Sequence, residues 1–183
     1  DKRFNVLWYN FNDDDPELHD MLRATQVRRR KKARQILKGL KKNGFNLDVN
    51  KILDKYTHYV PVNHVVDDVS EDKENMKKIV KELKIEFPRE EHIIEKYFRD
   101  PKIGKLEPSY IDFKRIIAMR KKVGGQLILC HPAKHNYIQI NFLKKLKKMG
   151  LDGVELLYPH HSYNAIMFLQ QLAREFDFIE TGG

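Results

Sequence analysis

The run Gly124-Gly125-Gln126-Leu127-Ile128-Leu129-Cys130-His131-Pro132 decides how this chain is read. Between a glycine pair and a proline it holds an unbroken apolar stretch, as expected of a parallel strand buried on both faces. Further on, Gly153-Val154-Glu155-Leu156-Leu157-Tyr158 reads as a second strand, and Phe178-Ile179-Glu180-Thr181 as a third. The segments between them carry helical spacing, from Ile138 to Met149 with Gly150 as the stop, and from about Tyr163 to Phe176. Strand, helix, strand, helix, strand at this spacing predicts two right-handed βαβ units in a parallel sheet or barrel, an α/β fold.

Working outward, Ser109 and Asp112 form a pair similar to a capping box, ahead of a helix with Phe113, Ile116, Ile117 and Val123 on its apolar face. At the front, Phe4 to Phe11 reads as one short strand, broken by Asn12-Asp13-Asp14-Asp15-Pro16. A long helix follows. Leu18, Met21, Leu22, Thr25, Ala33, Ile36, Leu37 and Leu40 recur at three- and four-residue steps under a basic face, and Asn43-Gly44 ends it. Shorter helical pieces are expected over Val49 to Tyr56, around Met76 to Leu83, and from Pro88 through Phe98. The loop Asp100 to Pro108 marks a boundary. The expected organisation is a strand over 1–11, a mainly helical inserted subdomain over 12–107, and the βαβαβ part over 108–183.

The chain has 183 residues, 41% of them hydrophobic, enough to bury a core. Its net charge of +9, from 35 Lys and Arg against 26 Asp and Glu, favours anionic partners such as phosphate esters or nucleic acid without choosing between them. One cysteine, Cys130, excludes an internal disulfide framework and a multi-cysteine zinc site, and fits a cytoplasmic location. No apolar stretch is long enough to span a membrane, so no membrane partner is expected. The chain opens at Asp1 and closes on Thr181-Gly182-Gly183, so both ends read as cut.

In parallel sheets and barrels the chemistry collects at the C-terminal strand ends. His131 ends the first strand here, Glu155 and Tyr158 the second with His160 and His161 just after, and Thr181 the third. Imidazole and carboxylate are what a hydrolytic metal site needs. A histidine before proline is equally a hydrogen-bonded strand terminus, and Glu155 equally a structural carboxylate or a partner behind a ligand histidine. His135 and His160 read as loop residues or, in the alternative, as helpers at the site. The run Arg28 to Arg34 is a solvated helix face or, in the alternative, a phosphate-binding one, without the interleaved aromatics that would stack on bases. Cys130 reads as small core packing.

The segment 124–132 resembles the glycine-glycine, apolar strand, His-Pro element of the polymerase and histidinol phosphatase (PHP) superfamily of metal-dependent phosphoesterases. Gly150-Leu-Asp-Gly-Val-Glu-Leu-Leu-Tyr-Pro-His-His-Ser162 is similar to its Gly-Leu-Asp-Gly-Ile-Glu strand followed by Tyr-Pro-x-His-Ser, and Thr181-Gly-Gly183 to the opening of its Thr-Gly-Gly-Ser-Asp-x-His signature. Phe4-Asn-Val-Leu-Trp-Tyr9 resembles the family's His-Ile-Leu-Gly-Tyr strand, and Asn63-His64 stands where Arg-Pro-His is usual.

The resemblance implies a distorted (βα)7 TIM-like barrel carrying an inserted helical subdomain. It implies divalent metal ions (Mn, Zn, Fe or Mg; two or three in a complete site) and hydrolysis of a nucleotide or other small phosphate ester by metal-activated water. By matching motifs, His131 is a metal ligand, Asn5 occupies the position of a metal-binding histidine, and His161 and His64 face the substrate; Glu155 stands behind the ligand histidine. The departures are Asn5 itself, Trp8 in place of a glycine, and Val62 in place of a phosphate-gripping arginine. The family's opening His-x-His and closing Ser-Asp-x-His do not occur in these 183 residues, which implies that the fragment alone does not catalyse efficiently. The alternative is a catalytically degenerate module that binds nucleic acid or another anionic partner.

Overall fold

The computed structural model describes residues 4–104, 109–135 and 138–182. The chain divides into two compact units, one made of 1–18 with 111–183 and the other of 19–110.

The first unit is built on a four-stranded sheet among the described residues, with β1 (Val6–Tyr9), β2 (Gln126–Leu129), β3 (Gly153–Leu157) and β4 (Ile179–Gly182) side by side in that order. β2, β3 and β4 are parallel, whereas β1 runs antiparallel to β2, with Val6 opposite Leu129 and Trp8 opposite Leu127. An apolar run announces a strand but not its direction. Val6, Trp8, Leu127, Leu129, Val154 and Leu156 share one face. They pack there with α6 (Phe113–Val123), α7 (Ile140–Met149) and α8 (Tyr163–Glu175), through side chains such as Ile117, Leu143, Leu146, Leu169 and Leu172. By strand alternation Leu7, Ile128, Gly153, Glu155 and Thr181 belong to the opposite face. Gly153 has no room for a side chain: a Cβ would lie 2.3 Å from the Ile179 carbonyl oxygen. Trp8 joins the packed face, and its indole N–H donates to the Gly124 carbonyl at 2.9 Å.

At the strand-entry end, Arg120 of α6 holds the turns together. Its guanidinium donates to the carbonyls of Gly125 and Gly150 and to the Asp152 carboxylate at 2.7 Å, while the other Asp152 oxygen accepts from Leu127 N–H at 2.7 Å. The start of α6 differs from expectation. Asp112 itself is the cap, accepting from Lys114 N–H, and the Ser109 hydroxyl instead donates to the Thr25 carbonyl within the second unit.

The second unit is helical. α1 (Pro16–Lys42) starts on proline with Asp15 accepting from the N–H groups of Glu17 and Leu18, and its stripe Ala33, Ile36, Leu37 and Leu40 lines the unit's core. α2 (Val49–Asp54), α3 (Val62–Ser70), α4 (Lys73–Leu83) and α5 (Glu90–Ile93) follow. The chain then winds as a π-helix over Ile94–Phe98, which brings the adjacent Tyr97 and Phe98 both into the core. Pro88 stands two residues before α5, not in its first turn. α3 was not expected. Its Val62, Val65, Val66 and Val69 have helical spacing, but a run of β-branched side chains argues against a helix locally. Of the boundary loop, 105–108 lies outside the described residues.

The basic run on α1 is largely engaged. Arg30 donates to the carbonyls of Leu53 and Tyr56 at the C-terminal end of α2 and pairs with Asp54. Arg29 donates to the Val60 carbonyl, and Arg34 to the Asn50 side chain.

Candidate functional site

β2 does not stop cleanly at Leu129. Cys130 N–H still donates to the Asn5 carbonyl at 3.0 Å, extending the β1–β2 ladder by one pair. At His131 the backbone then swings to φ +31°, a left-handed conformation that costs an L-residue on the order of 1–3 kcal/mol, and Pro132–His135 form a 3-10 turn. Glu155 holds this corner: its carboxylate accepts the His131 backbone N–H at 2.5 Å. Glu155 is 4% exposed, and a buried carboxylate is costly unless hydrogen-bonded. Neighbouring Cys130 registers the environment, its thiol pushed up to about 11 by burial and then by the charge of Glu155.

The His131 ring sits between two groups. Its Nε2 lies 3.2 Å from the Asn5 side-chain nitrogen, and the Tyr158 ring is 5.1 Å away. Tyr158 is also in contact with the rings of His160 and His161, at 5.5 and 5.3 Å. Lys134 reaches the same tyrosine, its ammonium 3.4 Å from the hydroxyl. The sequence reading passed over Lys134, although its place three residues after His131 in a proline turn was a usable signal.

His161 is buried, 8% exposed, and its Nδ1 is 2.8 Å from the Leu156 carbonyl oxygen. A carbonyl only accepts, so Nδ1 carries a proton and Nε2 is the ring nitrogen left to meet another group. Nε2 is itself buried and has no hydrogen-bond partner among the described residues, and the same holds for Thr181 Oγ1. Thr181 is paired in register with Glu155 across β3 and β4, which places the two on one face of strands roughly 4.8 Å apart.

Asn5, His131, Glu155 and Thr181 therefore meet at one end of the sheet, with His161 joined to them through Tyr158. His64 belongs to the second unit, on α3, where its ring lies 6.4 Å from that of Tyr56. That tyrosine donates to Asp68 at 2.6 Å, and burial followed by this carboxylate raises its pKa. Val62 opens α3 and packs against the helical core. The His135 side chain lies outside the described residues.

The metal-ion expectation can be tested on these residues. Among the described residues no three His, Cys, Asp or Glu side chains are grouped so as to hold an ion, and His131 Nε2 faces a carboxamide. The donor set, as it stands, does not fit a divalent metal.

No family model matches the chain, and no curated protein does. Two solved structures share its fold. One is a candidate metal-dependent phosphoesterase from Bifidobacterium adolescentis, with a TM-score of 0.64 and 16% identity over 97% of this chain and 60% of that one. The other is an amidohydrolase from Chromobacterium violaceum with bound sulfate and no metal, with a TM-score of 0.62 and 16% identity over 98% of this chain and 61% of that one. The fold is thus α/β, similar to that of a phosphoesterase or an amidohydrolase. The chain spans about 60% of the length of both.

Proposed function

We propose that the strand-end face of the first unit binds the phosphoryl group of a small ester, a nucleotide or a simpler phosphate, as part of a hydrolase of the PHP type with a distorted (βα)7 TIM-like barrel. The observation that carries this reading is that two buried polar atoms, His161 Nε2 and Thr181 Oγ1, have no hydrogen-bond partner among the described residues, at the end of the sheet where His131 and Glu155 lie. Buried polar atoms are normally hydrogen-bonded, and a ligand is one way of meeting the need. Thr181 supplies a hydroxyl donor, His161 an acceptor for a phosphate or water O–H, and Lys134 a positive charge beside Tyr158. The two solved structures of similar fold support the reading in kind, one being a candidate metal-dependent phosphoesterase and the other an amidohydrolase holding sulfate. Divalent metal (Mn, Zn, Fe or Mg) belongs to the hydrolase reading. The described donor set does not assemble a site for it, so the role assigned to this chain is phosphate binding and not metal-assisted attack.

A second reading, anion binding without hydrolysis, is favoured by the contact between Asn5 and His131. The nucleic-acid form of it draws less support, because Arg29, Arg30 and Arg34 direct guanidinium N–H groups to partners inside the helical unit.

The test is titration of the purified chain with inorganic phosphate and with p-nitrophenyl phosphate, with and without Mn²⁺, followed by NMR and by release of nitrophenolate. Shifts at His161, Lys134 and Thr181 that weaken about tenfold or more in His161→Ala support the site. Turnover would then select the hydrolase, whereas binding without turnover is the result that the phosphate-binding role assigned to this chain predicts. Unmoved resonances at all three residues with millimolar probe would sink the proposal.

A further inference from the structure

The contact between Asn5 and His131 has a chemical consequence that does not depend on how the amide is turned. If the Asn5 nitrogen faces Nε2, as its 3.2 Å separation has it, an amide N–H donates into the imidazole lone pair. If the amide is flipped, its oxygen accepts from Nε2–H, and the nitrogen carries a proton. In both cases the electron pair a cation would need at Nε2 is committed. The other ring nitrogen, Nδ1, is buried. The Asn5 main chain is held in place: its backbone carbonyl accepts from Cys130 N–H at 3.0 Å, which keeps the residue on the extended β1–β2 ladder beside the His131 ring. His131 is fixed as well, by Glu155 on its backbone N–H and by the Tyr158 ring at 5.1 Å.

We infer that Asn5 closes His131 to divalent metals, and that in this chain a neutral amide–imidazole pair holds the end of β2 where a metal ion would otherwise be ligated. A carboxamide is a weak ligand for zinc-like ions, while a carboxylate or a second imidazole in the same place is a good one. The inference therefore assigns the closure of His131 Nε2 to one side chain, and replacing that side chain with a ligating one should open the imidazole to a cation.

The experiment is equilibrium dialysis of the purified chain against Zn²⁺ and Mn²⁺, with metal analysis, on the wild type, Asn5→Asp and Asn5→His, and on each of the latter two combined with His131→Ala. Asn5→Asp preserves size, so the comparison survives if Asn5→His fails to fold, which circular dichroism reports. The expected result is no metal above background in the wild type, stoichiometric zinc in at least one folded Asn5 variant, and loss of that zinc when His131 is also removed. In parallel, Asn5→Ala should shift the ¹⁵N resonance of His131 Nε2, since the amide partner is gone. Stoichiometric metal on the wild type that disappears with His131→Ala would overturn the inference, and so would folded Asn5→Asp and Asn5→His that both fail to take up metal. Either result leaves phosphate binding at His161 to stand or fall on the metal-free arm of its own titration.

Discussion

Cys130 shows how far a single residue's behaviour follows from its position. Burial, then the carboxylate of Glu155, holds its thiol protonated up to about 11, while in the unfolded chain it ionises near the ordinary 9.0. Above 9.0 the unfolded chain has lost a proton that the fold retains. This contribution to stability is therefore complete below 9.0 and declines as the pH rises towards 11. Urea denaturation between pH 8 and 11 should show a downward slope that is shallower in Cys130→Ala, and iodoacetamide should modify the folded chain slowly at pH 8, where thiolate is scarce. Equal slopes in the two proteins would show the thiol to be ordinary. The residues at the strand ends were legible in sequence because each follows an apolar run, as His131 follows Leu127 to Cys130. Their partners were not. That Glu155 bonds the backbone of His131, and Asn5 the ring, depends on a left-handed φ and on the pairing of strands far apart in the chain, neither of which has a local signature.

Elements were read better for existence than for detail. The strand over Gly153–Leu157 was plain from its apolar run, yet the reason it begins with glycine appears only in the sheet, where β4 passes too close for a methyl group. Gly153→Ala should cost about 1–3 kcal/mol through overpacking against Ile179 and Ile128, read as a lower urea midpoint. An unchanged midpoint would mean that β4 can shift freely. In the helical unit Asn75 is 1% exposed on α4. Its oxygen accepts from Asn46 N–H at 2.7 Å, and its nitrogen donates to the carbonyls of Asn46 and Val69. Asn75→Ala leaves those backbone groups unmatched and should cost roughly 2–3 kcal/mol. Hydrogen exchange should locate the loss at the Asn46 amide and in α3, and unchanged exchange there would count against it. Nothing in the sequence marked Asn75, because a polar residue on a lysine-rich helix looks solvated until its neighbours are known. Ser109 misled in the opposite sense, its capping signature being local while its hydroxyl is used elsewhere.

At the scale of the whole molecule each unit has a core of its own, one around Leu37 and one around Leu143, both fully buried. Leu143→Ala should cost about 2–5 kcal/mol, visible as faster amide exchange in β2 and β3. Unaltered protection there would show that the helix side of the sheet is not what holds those strands. The α/β class followed from three apolar runs separated by helical ones, whereas the reversal of β1 could be learned only from the ladder itself. Arg120 and Asp152 tie the turns entering β2 and β3, at the opposite end of those strands from His131 and Tyr158. The clasp and the polar strand-end residues His131 and Tyr158 thereby occupy different ends of the same strands. A lineage carrying this clasp can let the loops beyond Cys130 and Leu157 drift, lengthen or be exchanged without eroding the sheet, so new specificities are reachable by few steps. Library construction on this scaffold inherits the same freedom: diversity belongs in those exit loops, and Arg120 with Asp152 should stay untouched.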